Sequence, residues 1–179
     1  MRAVLKLHPH SHSAAVRHIE VEVARPQAGG VLLRYVVSGR IGDLALPAVR
    51  APVRTDELWR HTCFEAFIRP ATGEAYYEFN FSPSTQWATY RFDSYRQGGR
   101  AAGEIDSPRI TVERTPESFT LQTAPQWDAS SELGRATVWR IGLSAVLEER
   151  GGHKSYWALA HPPGKPDFHH ADGFTLELQ

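Results

Sequence analysis

The sequence contains a single cysteine, Cys63, and a single methionine, Met1, among 179 residues. One cysteine excludes an intrachain disulfide, so we expect the fold to be held by its core and not by covalent links. The chain also lacks an excess of either charge, with 20 Lys and Arg residues against 20 Asp and Glu residues. This balance removes the electrostatic argument for binding nucleic acid or an anionic membrane surface.

Long apolar runs are absent as well. No stretch of the sequence approaches the roughly 20 apolar residues that a transmembrane helix needs. Lys6 and Pro9 interrupt the N-terminal segment, which is too short for the apolar part of a signal peptide, so we expect a cytoplasmic protein. The length predicts a single domain over residues 1–179, large enough to bury about 70% of its unfolded surface.

Short segments in which apolar and polar residues alternate dominate the chain, and this period is typical of β-strands. Gly, Pro and Asp residues separate them, as expected of turns. The predicted strands are 2–8, 16–24, 30–39, 62–69, 75–82, 86–93, 109–114, 118–124, 135–143, 155–161 and 174–178. Two short helical turns are predicted at 55–61, capped by Thr55 or Asp56, and at 144–152, capped by Ser144. The pattern predicts an all-β protein, an antiparallel β-sandwich of jelly-roll or immunoglobulin-like type.

Three consecutive predicted strands, 62–69, 75–82 and 86–93, are close enough in sequence to form an antiparallel meander. One face of this meander is apolar. If the registers of the strands agree, the opposite face gathers acids, an amide, an arginine and aromatic rings. These residues are Glu65, Tyr76, Glu78, Asn80, Trp87 and Arg91.

Glu65 lies between apolar neighbours, and an unpaired buried carboxylate is strongly destabilising. The strand face that carries Glu65 is therefore exposed to water, or Glu65 pairs with a cation such as Arg91 or Arg140, or Glu65 contacts a ligand. Carboxylates and amides bind sugar hydroxyls while aromatic rings stack on the C–H face of a sugar, so this face suits a carbohydrate. Glu65 and Glu78 on adjacent strands would also suit glycoside hydrolysis, which uses a pair of carboxyl groups.

The segment 160–174 combines prolines, glycines and histidines in one predicted loop. Pro162, Pro163 and Pro166 lower its conformational entropy, and stiff loops with charged side chains are often binding loops. The histidines of this segment could ligate a divalent metal or haem iron. The alternative is that they bond backbone carbonyls around a proline turn.

Two segments, ELWRHTCFEAFIRP (57–70) and AYYEFNFSPSTQWATYRFDSYR (75–96), resemble DOMON-like proteins related to family 9 carbohydrate-binding modules. The matching residues are Trp59, Glu65, Tyr77, Glu78, Phe79 and Asn80. The segment 156–178 is similar to the bacterial stand-alone branch of that family. The resemblance implies a jelly-roll β-sandwich that binds a carbohydrate or haem. Haem-binding relatives use an axial methionine, and the only methionine here is Met1, so the resemblance favours the carbohydrate.

We therefore predict a module without catalytic residues that binds a carbohydrate or a similar small polar ligand and needs no cofactor. The predicted ligand-binding residues are Trp59, Arg60, Glu65, Glu78, Asn80, Trp87, Arg91, Lys165 and Asp167. The first alternative is a haem- or metal-binding redox or sensing domain that uses His161, His169 and His170. The second is a glycoside hydrolase that uses Glu65 and Glu78.

Overall fold

The computed structural model describes residues 1–25 and 29–179, and this part of the chain is nearly all β. Its strands are β1 (Arg2–Leu7), β2 (Val16–Ala24), β3 (Leu32–Gly39), β4 (Cys63–Pro70), β5 (Tyr76–Phe81), β6 (Trp87–Phe92), β7 (Arg100–Ala101), β8 (Ile110–Arg114), β9 (Ser118–Thr123), β10 (Trp139–Glu148), β11 (Lys154–Ala158) and β12 (Leu176–Leu178). The helix α1 (Glu132–Arg135) and three 3-10 turns (Ile41–Asp43, Leu58–Arg60 and Ala171–Gly173) complete the elements. The predicted all-β antiparallel fold with few helical turns is confirmed.

The strands form two layers that are joined through β1. The order along the hydrogen-bonded path is β7-β6-β5-β4-β10-β11-β1-β2-β3-β9-β8, and β12 lies beside β10. We call the first layer, from β7 to β11 with β12, the site layer, and the second, from β2 to β8, the back layer. Strand β1 pairs antiparallel with β11 of the site layer and with β2 of the back layer. The first and last strands therefore belong to one body.

The core lies between the two layers and is filled by the inward residues of each strand. Phe64 of β4 stacks on Phe119 of β9 with ring centroids 5.8 Å apart. The hydroxyl of Tyr35 in β3 crosses the core and donates to the backbone oxygen of Glu65 over 2.7 Å. A buried tyrosine usually finds such a partner, because an unbonded hydroxyl would destabilise the fold. Burying each large apolar side chain of this kind stabilises the fold by about 1.5–3 kcal/mol.

The predicted meander exists as β4, β5 and β6, but its register differs from the expected one in β6. Glu65 pairs with Asn80, which pairs with Ala88, and Phe81 pairs with Trp87. Because directly paired residues point to the same side, Trp87 faces the core with Phe81 and not the polar face. A one-residue shift moves every side chain of a strand to the other face, so the predicted placement of Trp87 and Arg91 is wrong.

The predicted helix at 144–152 is also wrong, because β10 continues as a strand through Glu148. The second half of β10 pairs with β4 on one side and with β11 on the other. Such a central strand is buried on both faces, so Ala145, Val146 and Leu147 are all apolar. A continuous apolar run of this kind does not alternate, and its sequence cannot be told from that of a buried helix. Gly152 has a φ of 81° in the β10–β11 turn, where a glycine is favoured, and does not end a helix.

The helical turn predicted at 55–61 is present as the 3-10 turn Leu58–Arg60. The predicted cap is wrong, since no side chain bonds the start of this turn. Asp56 instead forms an ion pair with Arg54 at 2.9 Å and accepts a hydrogen bond from the Tyr90 hydroxyl. Within residues 1–25 and 29–179, no helix has both the length and the apolar character to cross a membrane.

Candidate functional site

A pocket of about 560 Å³ opens on the outer face of the site layer, which points away from the core. Strands β4, β5, β6, β10 and β11 form its floor, and residues 93–99 and 159–175 form its walls. We call it the outer pocket. Its lining residues are Trp59, Glu65, Phe67, Glu78, Tyr90, Phe92, Arg96, Gly99, Val146, Tyr156, Pro166, Phe168 and His169.

Glu65 is the most deeply buried acid of the floor, with only 3% of its surface exposed. The Ser144 hydroxyl donates to its Oε2 over 3.2 Å. Burial and the nearby carboxyl of Glu78 raise the pKa of Glu65 to about 8, so this carboxyl keeps a proton at neutral pH. In the described part of the chain Glu65 forms no ion pair, and the expected pairing with Arg91 or Arg140 is wrong.

Glu78 lies diagonally across from Glu65 on the neighbouring strand and is 6% exposed. The side-chain amide of Asn80 donates to Glu78 Oε1 over 2.8 Å, and the Cys63 thiol donates to Asn80 Oδ1 over 3.6 Å. Burial raises the pKa of Glu78, and burial together with Glu65 and Glu78 raises the pKa of Cys63. Cys63 is thus a buried, protonated thiol. We call Glu65, Glu78 and Asn80 the polar strip.

His169 extends the polar strip from the C-terminal wall. Its Nδ1 lies 2.8 Å from the Tyr76 hydroxyl, which also accepts the backbone N–H of Arg96 over 3.2 Å. Burial lowers the pKa of His169 to about 4, so the ring is neutral at pH 7. When the Tyr76 O–H donates to Nδ1, the ring proton stays on Nε2, which lies 3.7 Å from Glu78 Oε2. His169 therefore approaches Glu78 as a neutral donor.

Aromatic rings flank the polar strip on several sides. Trp59 is 41% exposed at the rim, and its ring lies 6.1 Å from that of Tyr90 in an edge-on arrangement. Phe92 stacks on Tyr76 at 4.9 Å. Phe67 meets His169 edge-on at 5.1 Å. The pocket thus presents buried polar groups beside apolar ring surfaces, which is the composition expected for a ligand with both hydroxyl and C–H groups.

An ion pair joins the two walls of the pocket. Arg96 donates to Asp167 Oδ1 over 2.8 Å, and the Tyr95 hydroxyl donates to Asp167 Oδ2. Burial alone would raise the pKa of Asp167, but hydrogen bonds from Tyr95 and Arg96 hold it below its usual value. The charge of Arg96 is therefore matched within the wall, and residues 93–99 are tied to the C-terminal segment.

The predicted binding residues fall into two groups. Trp59, Glu65 and Glu78 line the outer pocket, Asn80 supports Glu78 from below, and Asp167 lies in the wall. The structure brings these five residues together.

The other four predicted residues lie outside the pocket lining. Arg60 is exposed and pairs with Glu57 at 2.7 Å. Lys165 is exposed on the C-terminal segment. Trp87 and Arg91 lie on the inner face of β6, where Arg91 pairs with Glu132 at 2.8 Å.

The three histidines proposed as metal ligands are directed to separate partners. His161 Nε2 lies 2.8 Å from the Lys6 backbone oxygen, and His170 Nδ1 accepts from the Asp172 backbone N–H over 3.3 Å. His169 lies in the outer pocket. Within the described ranges, no group of three or more His, Cys, Asp or Glu residues could hold a metal ion. The described residues therefore do not form the predicted joint ligand set. His161 bonds a backbone carbonyl, as in the alternative, whereas His170 accepts from a backbone N–H, which the alternative did not predict.

Sequence reasoning missed several residues of the pocket. Tyr90 and Phe92 were assigned to the apolar face because β6 was placed one residue out of register. The alternation in the sequence could not show this, because both faces of β6 carry aromatic residues. Arg96 and Phe168 reach the pocket from walls whose paths depend on tertiary contacts.

Comparisons with known proteins support the fold. No protein-family model matches the chain, and no curated protein matches it in sequence. The solved structures that match include a candidate carbohydrate-binding protein from Bacteroides uniformis, with a TM-score of 0.63, 14% identity, and coverage of 97% of this chain and 84% of that chain. A family 9 carbohydrate-binding module from Caldicellulosiruptor kristjanssonii in complex with cellotriose matches with a TM-score of 0.51, 8% identity, and coverage of 92% and 74%. At these identities the likeness shows a shared β-sandwich fold.

Proposed function

We propose that this chain is a non-catalytic module that binds a carbohydrate in the outer pocket. The observation that carries the proposal is the buried polar strip flanked by aromatic rings in a pocket of about 560 Å³. A pocket of this size is within the usual range for small-molecule sites, about 300–1,000 Å³. The shared fold with a module crystallised in complex with cellotriose adds support, as does the sequence resemblance to DOMON-like proteins.

The polar strip has the hydrogen-bonding capacity that a sugar requires. Glu65 holds a proton, and among the described residues its side chain forms one hydrogen bond, which it accepts from Ser144. It can therefore both donate to and accept from hydroxyl groups. The Asn80 amide holds one oxygen of Glu78 in place, which orients the other oxygen toward the pocket and His169.

Trp59 provides an exposed ring at the rim. Its neighbour Tyr90 is held by a hydrogen bond to Asp56, so the edge-on contact restrains the indole. A ring that is ordered before binding loses less entropy when a sugar stacks on it. We therefore expect Trp59 to form the stacking surface of the site.

The proposal is tested by titrating the protein with glucose and cello-oligosaccharides, using tryptophan fluorescence and calorimetry. We expect saturable binding in the millimolar range or tighter, and a loss of about tenfold or more in affinity for Trp59→Ala. Val49→Ala, a change of a 67% exposed apolar side chain outside the pocket, is the control and should leave affinity unchanged. Absence of binding to a broad glycan array at millimolar concentrations would refute the proposal.

Glycoside hydrolysis is a second candidate, favoured by one observation. The pKa of Glu65 is raised to about 8, and a carboxyl that keeps its proton at neutral pH can act as a general acid. The candidate requires an ionised partner, whereas burial raises the pKa of Glu78 as well. We expect no turnover of aryl glycosides above background. Turnover that disappears in both Glu65→Gln and Glu78→Gln would replace the binding module by an enzyme.

A further inference from the structure

The outer pocket has more acidic than basic groups. The titratable and charged groups that face it are Cys63 and Glu65 from β4, Tyr76 and Glu78 from β5, Tyr90 from β6, Tyr156 from β11, and Arg96, Asp167 and His169 from the walls. The only permanent cation among them, Arg96, is matched by Asp167 at 2.8 Å. His169 is neutral at pH 7. Within the described residues, Arg96 therefore acts on Glu78 only as a nearby charge that is already paired with Asp167, and no Lys or Arg forms an ion pair with Glu65 or Glu78.

Glu65 in particular has unused hydrogen-bonding capacity. Glu65 lines the pocket, and only 3% of its surface is exposed. Among the described residues, its side chain has one hydrogen-bond partner, the neutral Ser144 hydroxyl. An ionised carboxylate can accept about four hydrogen bonds, so the described residues leave most of the acceptor capacity of Glu65 unused. A buried acid with so little compensation is strongly disfavoured as an anion until a cation arrives.

The aromatic rings point to the same kind of ligand. Rings from β4, β6, β11 and the C-terminal wall surround the two acids. The face of an aromatic ring is electronegative and attracts an ammonium group, most strongly in a site that excludes water. A carboxyl pair enclosed by rings is therefore suited to an organic cation.

We propose, resting on the carbohydrate-binding function above, that the outer pocket selects an amino sugar and that its ammonium group lies between Glu65 and Glu78. The sugar hydroxyls then meet the remaining polar groups of the pocket, and the C–H face meets Trp59. A bare metal ion suits the site less, because no metal-binding group of three or more side chains is found in the described residues.

Binding of the ammonium form is coupled to loss of a proton. Without ligand, the carboxyl of Glu65 is protonated, since its pKa is about 8. The incoming ammonium keeps its three protons and favours the carboxylate, so the carboxyl proton leaves to the buffer. Binding of a neutral sugar leaves the carboxyl protonated and releases no proton.

The first experiment compares glucosamine, glucose and N-acetylglucosamine by calorimetry at about pH 6, where both the amine and Glu65 are protonated. We expect glucosamine to bind about tenfold more tightly than glucose. N-acetylglucosamine should bind no more tightly than glucose, because acetylation removes the charge. Repeating the titration in buffers of different ionisation enthalpy should show release of about one proton for glucosamine and none for glucose.

The second experiment uses variants. In Glu65→Gln and in Glu78→Gln the ratio of glucosamine to glucose affinity should fall to about one, because the amide carries no charge. Glu113→Gln changes an exposed acid on the back layer and should leave both affinities at their wild-type values. The melting temperature of each variant verifies that it is folded.

The outcomes separate this inference from the proposed function. Equal affinity for glucose and glucosamine overturns the amino-sugar inference and leaves carbohydrate binding intact. Failure of all three sugars to bind overturns the amino-sugar inference, and absence of binding to a broad glycan array refutes the proposed function itself. Binding of cyclohexylamine as tightly as glucosamine, with no binding of glucose, would overturn both in favour of a simple amine site.

Discussion

The two faces of strands β4 and β5 are both hidden from solvent, but different partners cover them. On the inner face, Phe64, Ile68 and Phe79 are 0% exposed and meet apolar side chains of the back layer. On the outer face, Glu65 is 3% exposed and Asn80 is 0% exposed, yet both are polar. Burial alone therefore does not distinguish core from site in this molecule.

The difference lies in how completely each face is filled. The inner face is closed by a whole β-layer, so its contacts are dense. The outer face is covered by two segments that meet through the Arg96–Asp167 ion pair and leave a pocket between them. Polar groups at the bottom of such a pocket keep unused bonding capacity, which is what a ligand can use.

The largest expected effect tests the inner face. Phe79→Ala removes a ring that lies 5.9 Å from Trp127 in the core, and we expect the free energy of unfolding to fall by about 3–5 kcal/mol. Denaturant unfolding measures this change. The matched change on the outer side is Phe168→Ala, in the half-buried pocket wall, which should cost less than about 1 kcal/mol. Similar losses in the two variants would show that the pocket wall is as densely packed as the core.

The next effect tests the polar strip. Asn80→Ala leaves Glu78 Oε1 without its donor, so the free energy of unfolding should fall by about 1–3 kcal/mol and sugar affinity should fall as well. Gln122→Ala, an exposed amide on the back layer, should change stability by less than about 0.5 kcal/mol. An Asn80→Ala protein with wild-type affinity would show that Glu78 needs no support to bind ligand.

The third prediction concerns pH. The unfolded chain ionises Glu65 near its ordinary pKa of 4.5, whereas the folded protein holds the proton up to about 8. The folded state therefore binds more protons in this interval, and stability falls as the pH rises through it, by at most about 1.4 kcal/mol per pH unit.

His169 has the opposite effect on stability. Its pKa is lowered from 6.5 to about 4 in the folded protein, so its contribution makes stability rise with pH, but only between about pH 4 and 6.5. The slope due to Glu65 should therefore be clearest between pH 6.5 and 8. Chemical unfolding across that interval measures it, and Glu65→Gln should reduce it, leaving only the contribution of Glu78, whose pKa is also raised by burial. A wild-type slope that persists in this variant would assign the effect to another group.

The smallest effect on stability is expected for the loss of the buried Thr89 hydroxyl, and the buried Thr62 hydroxyl serves as its comparison. The Thr89 hydroxyl on the inner face has no hydrogen-bond partner among residues 1–25 and 29–179, so Thr89→Val should leave stability unchanged or raise it by up to about 1 kcal/mol. The Thr62 hydroxyl donates to the Ala45 oxygen over 2.9 Å and accepts from the Glu148 N–H over 3.1 Å. Thr62→Val should therefore lower stability by about 1–3 kcal/mol. Equal losses in the two variants would contradict the assignment of Thr89 as unbonded.

Much of the fold could be predicted from alternation and turn residues. The segments that became β2 and β9 were predicted to within one residue, because each has one buried and one exposed face. The prediction failed in β10, whose second half is buried on both faces and has no alternation. It also missed the short helix α1, whose four residues are too few to show a period.

The site was only partly predictable for a related reason. Glu65, Glu78 and Asn80 were identified because polar residues interrupt strongly apolar strands. Trp87 and Arg91 were placed on the wrong face because the turn at 82–86 sets the register of β6, and a register is not visible in one strand. Trp59 was identified through the resemblance to DOMON-like proteins and Asp167 through its proline-rich loop, whereas Arg96 had no such signal.

By itself, the sequence determined that this protein is an antiparallel β-sandwich, because strand periodicity and turn chemistry are local properties of the chain. It also determined that a carboxylate would be buried in β4, since the neighbours of Glu65 are apolar. Only the tertiary structure decided what surrounds that carboxylate. The residues that line the pocket with Glu65 come from β5, β6, β10 and two distant segments, and their positions depend on strand registers and on one ion pair between walls. Hydrogen bonds, burial and pKa shifts act over a few ångströms in space, and residues far apart in the chain meet at those distances only in the folded protein.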